Sequence, residues 1–165
     1  MVFEGVPEDV SAGAEAYWDR GVWWNVAYRS TTFFTRAWYV KKGDAADYVQ
    51  VDVPEDVDVG TFADQLTFSL RKEWEVGGKV HAAGSLLACP GEEFLAGDTS
   101  KLCVLFEPSD RVSLQSDCGT KSHMVLSLLD NVLTRLVVLK YMGGGVWEEV
   151  SRSEGAGSTD TAYVR

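Results

Sequence analysis

NVLTRLVVLKYMGG, residues 131–144, has the β-branched and aliphatic content of a strand and runs into a glycine turn. One arginine sits in its middle. A strand lysine ordinarily points to solvent, so alternation puts Thr134, Leu136, Val138 and Lys140 outward. Leu133, Arg135, Val137, Leu139 and Tyr141 then share the inward face. A guanidinium does not shed its proton on burial. Arg135 therefore needs a buried acceptor, an aromatic face to stack on, or an anionic ligand.

The chain around this strand has 165 residues, 45% of them hydrophobic and 24% charged, as expected of one globular domain with a sizeable core. The net charge of -10 disfavours nucleic acid and anionic membranes as partners. Six Trp, six Tyr and seven Phe supply a large aromatic core, and also suit a planar ligand. Cys89, Cys103 and Cys118 form no C-x-x-C pair, and His81 and His123 lie at no zinc-like spacing. The cysteines read as small hydrophobes rather than a disulfide framework. No signal or transit peptide and no membrane-length apolar run is visible.

Residues 1–19 read as a lead-in and a short helix over 12–18. Val-Pro-Glu-Asp-Val occurs at 6–10 and again at 53–57, and is read as two acidic turns. Strand patterns dominate from Gly21, with turns at Gly77-Gly78, Pro108-Asp110, Asp130-Asn131 and Gly143-Gly145. From Ser153 the chain is Gly/Ser-rich and reads as a flexible tail, 153–165, after a single domain, 1–152. About ten short strands in sequential hairpins predict an all-β fold, a closed antiparallel up-and-down β-barrel with a short N-terminal helix. A two-sheet sandwich is the rival, and the short turns favour the barrel.

Parity gives an inward set for such a barrel. Trp23, Asn25, Ala27 and Arg29 share one face of the first strand, and Phe68, Leu70, Lys72, Trp74 and Val76 share one face of the fourth. Arg29 and Arg135 beside Trp23 and Trp74 suit a flat, conjugated, carboxylated ligand: arginines pair with carboxylates and indoles stack on the plane. The structural alternative lays Arg135 across Trp23 as a cation–π plug and leaves Arg29 in solvent. No P-loop, G-x-S-x-G or G-x-G-x-x-G motif occurs. Ser122 and His123 are adjacent, so strand alternation sends them to opposite faces and denies them a nucleophile–base pairing.

Asn131, Arg135, Val138, Lys140, Gly143 and Gly144 fall without gaps on the penultimate-strand pattern of the S-type phycobiliprotein lyases. The Ser109-Asp110 turn and the Gly21-Val22-Trp23 opening resemble the same family, within the lipocalin-like calycins. The resemblance implies a ten-stranded barrel holding a bilin non-covalently, of phycocyanobilin or phycoerythrobilin type. A propionate would rest on Arg135 with help from Arg29, and Trp23, Trp74 and Tyr141 would line the cavity. It also implies a phycobiliprotein or photosystem subunit as partner, and a plastid or cyanobacterial setting. The family's second arginine is replaced by Leu133, and its acidic pair falls at Ser122-His123. The expectations are therefore a bilin-binding chromophore chaperone with lyase-like chemistry, or a non-catalytic interaction subunit on the same barrel, with a generic lipocalin-like carrier of an apolar ligand as a third option.

Overall fold

Four prolines punctuate the chain, and two of them, Pro54 and Pro108, stand where one β-sheet ends and the next begins. A proline has no N–H for a ladder and a fixed φ, so it releases the chain from the sheet. The computed structural model describes residues 3–43 and 45–153; the expected tail lies outside them except for Ser153.

Within them are three consecutive four-stranded antiparallel sheets. The first holds β1 (Ser11–Asp19), β2 (Val22–Ser30), β3 (Arg36–Lys42) and β4 (Val49–Gln50), in that spatial order. The second begins with β5 (Val57–Phe62) and β6 (Gln65–Leu70). The chain then leaves it for a small hairpin, β7 (Trp74–Val76) and β8 (Lys79–His81). It returns as β9 (Leu86–Pro90), makes one short helix, α1 (Gly91–Leu95), and finishes the sheet with β10 (Cys103–Phe106). The third is a plain meander of β11 (Val112–Gly119), β12 (His123–Asp130), β13 (Leu133–Gly143) and β14 (Val146–Arg152).

The sheets stack face to face. Trp24, Val26, Trp38 and Val40 of the first meet Val57, Val59, Leu66, Phe68 and Leu87 of the second, with Phe94 of α1 at the margin. The other face of the second sheet contributes Phe62 and Leu86 to a separate core with Met124, Leu126, Leu128, Val137 and Leu139. The middle sheet is thus covered on both sides. Its strands β6 and β9 are correspondingly almost wholly buried, without alternation between core and solvent.

This corrects the expected barrel. Closure needs each strand to pair with the next around the ring, yet β4 does not pair with β5, nor β10 with β11. The short connections there are proline turns that start a new sheet instead of hairpins. The expected N-terminal helix is also corrected: 11–19 is strand β1, paired residue for residue with β2 from Ser11↔Ser30 to Asp19↔Val22. Local helix tolerance gives way because the β-rich 22–30 segment offers this stretch a full ladder. The turn between them is Arg20-Gly21, both at positive φ (48° and 96°), the two-residue geometry that matches strand twist. Gly91 is required for a different reason: a Cβ there would come within 2.7 Å of the Trp24 ring.

Of the two adjacent tryptophans on β2, Trp24 enters the core, where its Nε1 donates to Ala63 O at 2.7 Å. Trp23 is turned outward, edge-on to Trp18 with ring centroids 6.0 Å apart. These two rings are 49% and 64% exposed and leave an apolar patch on the outer face of the first sheet.

Candidate binding site at the hairpin-turn end

Hairpin turns place their central residues at sheet ends, and stacked sheets bring such ends together. Here Arg20-Gly21 of the first sheet, Ala63-Asp64 of the second and Lys121-Ser122 of the third surround a cavity of about 420 Å³. Phe62 and Tyr141 give it aromatic walls.

Arg20 ties the three sheets together. Its guanidinium pairs with Asp19 beside it, its Nε donates to Thr120 O at 2.6 Å, and its central carbon lies 3.9 Å from the centre of the Phe62 ring. Asp19 is held in turn by the Thr61 hydroxyl at 3.0 Å, and the Tyr17 hydroxyl lies 3.1 Å from Thr61 Oγ1. The cation is therefore fixed before any ligand arrives.

Tyr141 is fixed as firmly. Its hydroxyl donates to Asp64 Oδ1 at 2.7 Å and accepts from Gln65 Nε2 at 2.8 Å and Gly145 N at 3.1 Å. Its ring packs on Phe62 and Trp147, with centroids 6.2 and 4.9 Å away. Burial first, and then the Asp64 carboxylate, pushes the phenol up to about 12.

A second acid is shifted the same way. Cys89 is fully buried in the core between the first two sheets, and burial, followed by the charge of Glu93, pushes its thiol up to about 12. Both groups are neutral when protonated, and both folded values lie above the unfolded ones, near 9 and 10. Their contribution is complete below about pH 9 and is lost as pH rises toward 12. Urea unfolding at pH 11 against pH 8 should show a loss on the order of 2 kcal/mol from Cys89. Cys89→Ala should flatten that slope; an unchanged slope would show that the thiol does not ionise differently in the two states.

The structure distributes the expected site residues instead of joining them. Tyr141 alone lines this cavity. Arg135 stands six residues away on β13, about 20 Å at strand rise, and pairs with Asp130 at 2.7 Å. Of the three partners open to it, the arginine has the acceptor. The expected parity of β13 is present, with Val137 and Leu139 in the core on the side of Arg135 and Tyr141.

Arg29 is held by Asp9 through two hydrogen bonds, 2.8 and 3.1 Å, and that contact holds the Asp9 carboxyl below the usual range. Trp23 faces solvent. Trp74 packs against Phe68 at 5.7 Å and lines a different cavity, of about 490 Å³, with Pro54 and Phe94.

Ser122 and His123 depart from the expectation in the other direction: Ser122 Oγ lies 2.9 Å from His123 Nδ1. Ser122 belongs to the bend before β12, where alternation does not yet apply. Among the described residues no carboxylate is hydrogen-bonded to that imidazole, so none of them completes a triad. No cluster of metal-ligating side chains occurs among them either.

Sequence reasoning missed Arg20, Phe62, Asp64 and Lys121. The available signal was local: Arg20-Gly21, and an Ala-Asp pair interrupting the β-rich run over 57–70.

No family model matches the chain, and no curated protein matches it. Among solved structures it is similar to a post-proline cleaving enzyme from Rickettsia typhi, with a TM-score of 0.76 and 22% identity. The match covers 90% of this chain and 22% of that one, so the chain spans about a fifth of the enzyme's length. At this identity the likeness establishes the arrangement of strands, and it is to neither a calycin nor a bilin lyase.

Proposed function

We propose that this chain is a non-catalytic propeller-type module of a post-proline-cleaving peptidase, supplying binding surface while another unit supplies the reacting groups. The observation that carries this is the run of three four-stranded antiparallel sheets, the repeating unit of a β-propeller. Its overlay with a segment of the Rickettsia typhi enzyme supports the same reading.

Two further features agree with it. The described residues hold a serine–histidine contact without a third member, which suits a surface and not a hydrolytic centre. The outer face of the first sheet carries exposed Trp18 and Trp23, as suits a sheet that has a neighbour in a larger assembly. The bilin reading depended on a barrel interior shared by Arg135, Arg29, Trp23, Trp74 and Tyr141, and these residues occupy separate places.

A chimera tests the proposal. Residues 3–153 replace the matching segment of the Rickettsia typhi enzyme, and cleavage of a Gly-Pro amide substrate is measured. Cleavage retained within about tenfold of the parent (1.4 kcal/mol in the barrier) is the expected result. A chimera that is folded by circular dichroism but inactive would sink the proposal. So would turnover of the substrate by this chain alone that disappears in Ser122→Ala.

A further inference from the structure

We propose that the cavity between the three hairpin turns binds a short peptide through its two charged ends. The choice of a peptide among doubly charged ligands rests on the module reading above; the charge pattern stands by itself. Lys121 is exposed at the rim and has no ion pair among the described residues. Beside it Arg20 is locked in place by Asp19, Thr120 and the Phe62 ring. Asp64, which lines the same cavity, commits Oδ1 to Tyr141 and Gln65, while its Oδ2 has no hydrogen-bonding partner among the described residues. The rings of Phe62 and Tyr141 line the same cavity.

This arrangement selects by elimination. A simple anion gains Lys121, the Arg20 charge being already paired with Asp19, but meets the Asp64 carboxylate. A simple cation gains Asp64 and meets the unpaired Lys121 ammonium. A molecule with an ammonium at one end, a carboxylate at the other and an apolar body between them satisfies both Lys121 and Asp64. The volume of about 420 Å³ lies at the small end of ligand cavities, which suits two or three residues and exceeds what one amino acid fills. The site is also pre-arranged: the groups that order Arg20 and Tyr141 belong to the protein, so binding does not have to order them.

The experiment is a titration of the isotope-labelled chain with the tripeptide Gly-Pro-Leu, read from the amide signals of Gly21, Asp64, Lys121 and Ser122. Saturable shifts at millimolar peptide are expected. The C-terminal amide and the N-acetyl form should each bind about tenfold more weakly. In Lys121→Met the acid and amide forms should bind alike, because the carboxylate's partner is gone. In Asp64→Asn, which preserves shape and an acceptor for Tyr141, the free and acetylated forms should bind alike. Absence of saturable shifts overturns the proposal, as do equal affinities of all three peptide forms for the unmodified protein. Equal shifts from sodium acetate reduce the site to an anion site, and equal affinity for free leucine removes the peptide; either overturns it. Failure here with a cleaving chimera would leave the module reading intact, and the reverse result would separate them as clearly.

Discussion

Phe68→Ala is expected to cost about 3–5 kcal/mol of unfolding free energy, the range for emptying a buried aromatic site. Phe68 is fully buried at the centre of β6, opposite Val59 on one strand and Leu87 on the other. Its ring meets Phe94 of α1 at 4.6 Å and Trp74 of the inserted hairpin at 5.7 Å. These partners belong to three separate elements: the middle sheet, the helix that follows β9, and the β7–β8 hairpin. A cavity here therefore loosens the docking of all three, and none can fill it alone without abandoning its own ladder or packing. Urea unfolding followed by far-ultraviolet circular dichroism measures the effect. Leu133→Ala, on a 37% exposed side chain of β13, is the control and should cost under about 1 kcal/mol. A Phe68→Ala cost as small as the control's would show that the middle sheet, α1 and the β7–β8 hairpin do not share one continuous core.

The sandwiching of the middle sheet also explains what was legible in the sequence and what was not. Strand content, most turns and the inward face of β13 follow from local patterns, because alternation and turn chemistry act over a few residues. The position at which one sheet ends does not, since a strand that closes a sheet and a strand that continues it look alike along the chain. The signal that does mark it was present in the recurring Val-Pro-Glu-Asp-Val. Pro7-Glu8-Asp9 precedes β1, Pro54-Glu55-Asp56 precedes β5, and Pro108-Ser109-Asp110 precedes β11. Read as three Pro-x-Asp turns at intervals of about 50 residues, the pattern matches the spacing at which the three four-stranded sheets begin. Read as two identical pentapeptides, it is only a pair of acidic turns, because the third copy shares the proline and aspartate and little else.

The candidate site was less legible for a related reason. Its residues come from the turns of three sheets, so their proximity depends on how the sheets stack. Arg135, by contrast, advertised itself as a charge among apolar neighbours, and its partner lay five residues back in the chain. Asp130 ends β12 and Arg135 follows early on β13, so a tight turn at Asn131, with φ at 56°, brings them to one face. A hairpin register of Asp130↔Leu133 and Leu128↔Arg135 makes them diagonal neighbours. A cross-strand ion pair was therefore available to sequence reasoning once the hairpin was assigned.

Asp130→Ala is the second large effect expected, about 3 kcal/mol of destabilisation, taken at the low end for breaking a buried pair because Arg135 is partly exposed. The Asp130 side chain is only 11% exposed and lies 2.7 Å from Arg135 Nη2, with Arg111 Nη2 at 3.6 Å. Arg135 Nε is already buried without a partner among the described residues. Removing the carboxylate thus strands a guanidinium that water only partly reaches. Asp130→Leu combined with Arg135→Leu should recover most of the loss, since an apolar pair of similar volume needs no compensating charge. The same variants separate a structural arginine from a ligand-binding one. If Asp130 is the arginine's permanent partner, Asp130→Ala should gain stability from added acetate or propionate, which can take the vacated place, while the unmodified protein is indifferent to both. If Arg135 instead serves an anionic ligand in the unmodified protein, propionate should stabilise that protein too, and Arg135→Leu should abolish the response. A thermal shift series with the two carboxylates distinguishes the outcomes, and a propionate response in the unmodified protein would restore Arg135 as a binding residue.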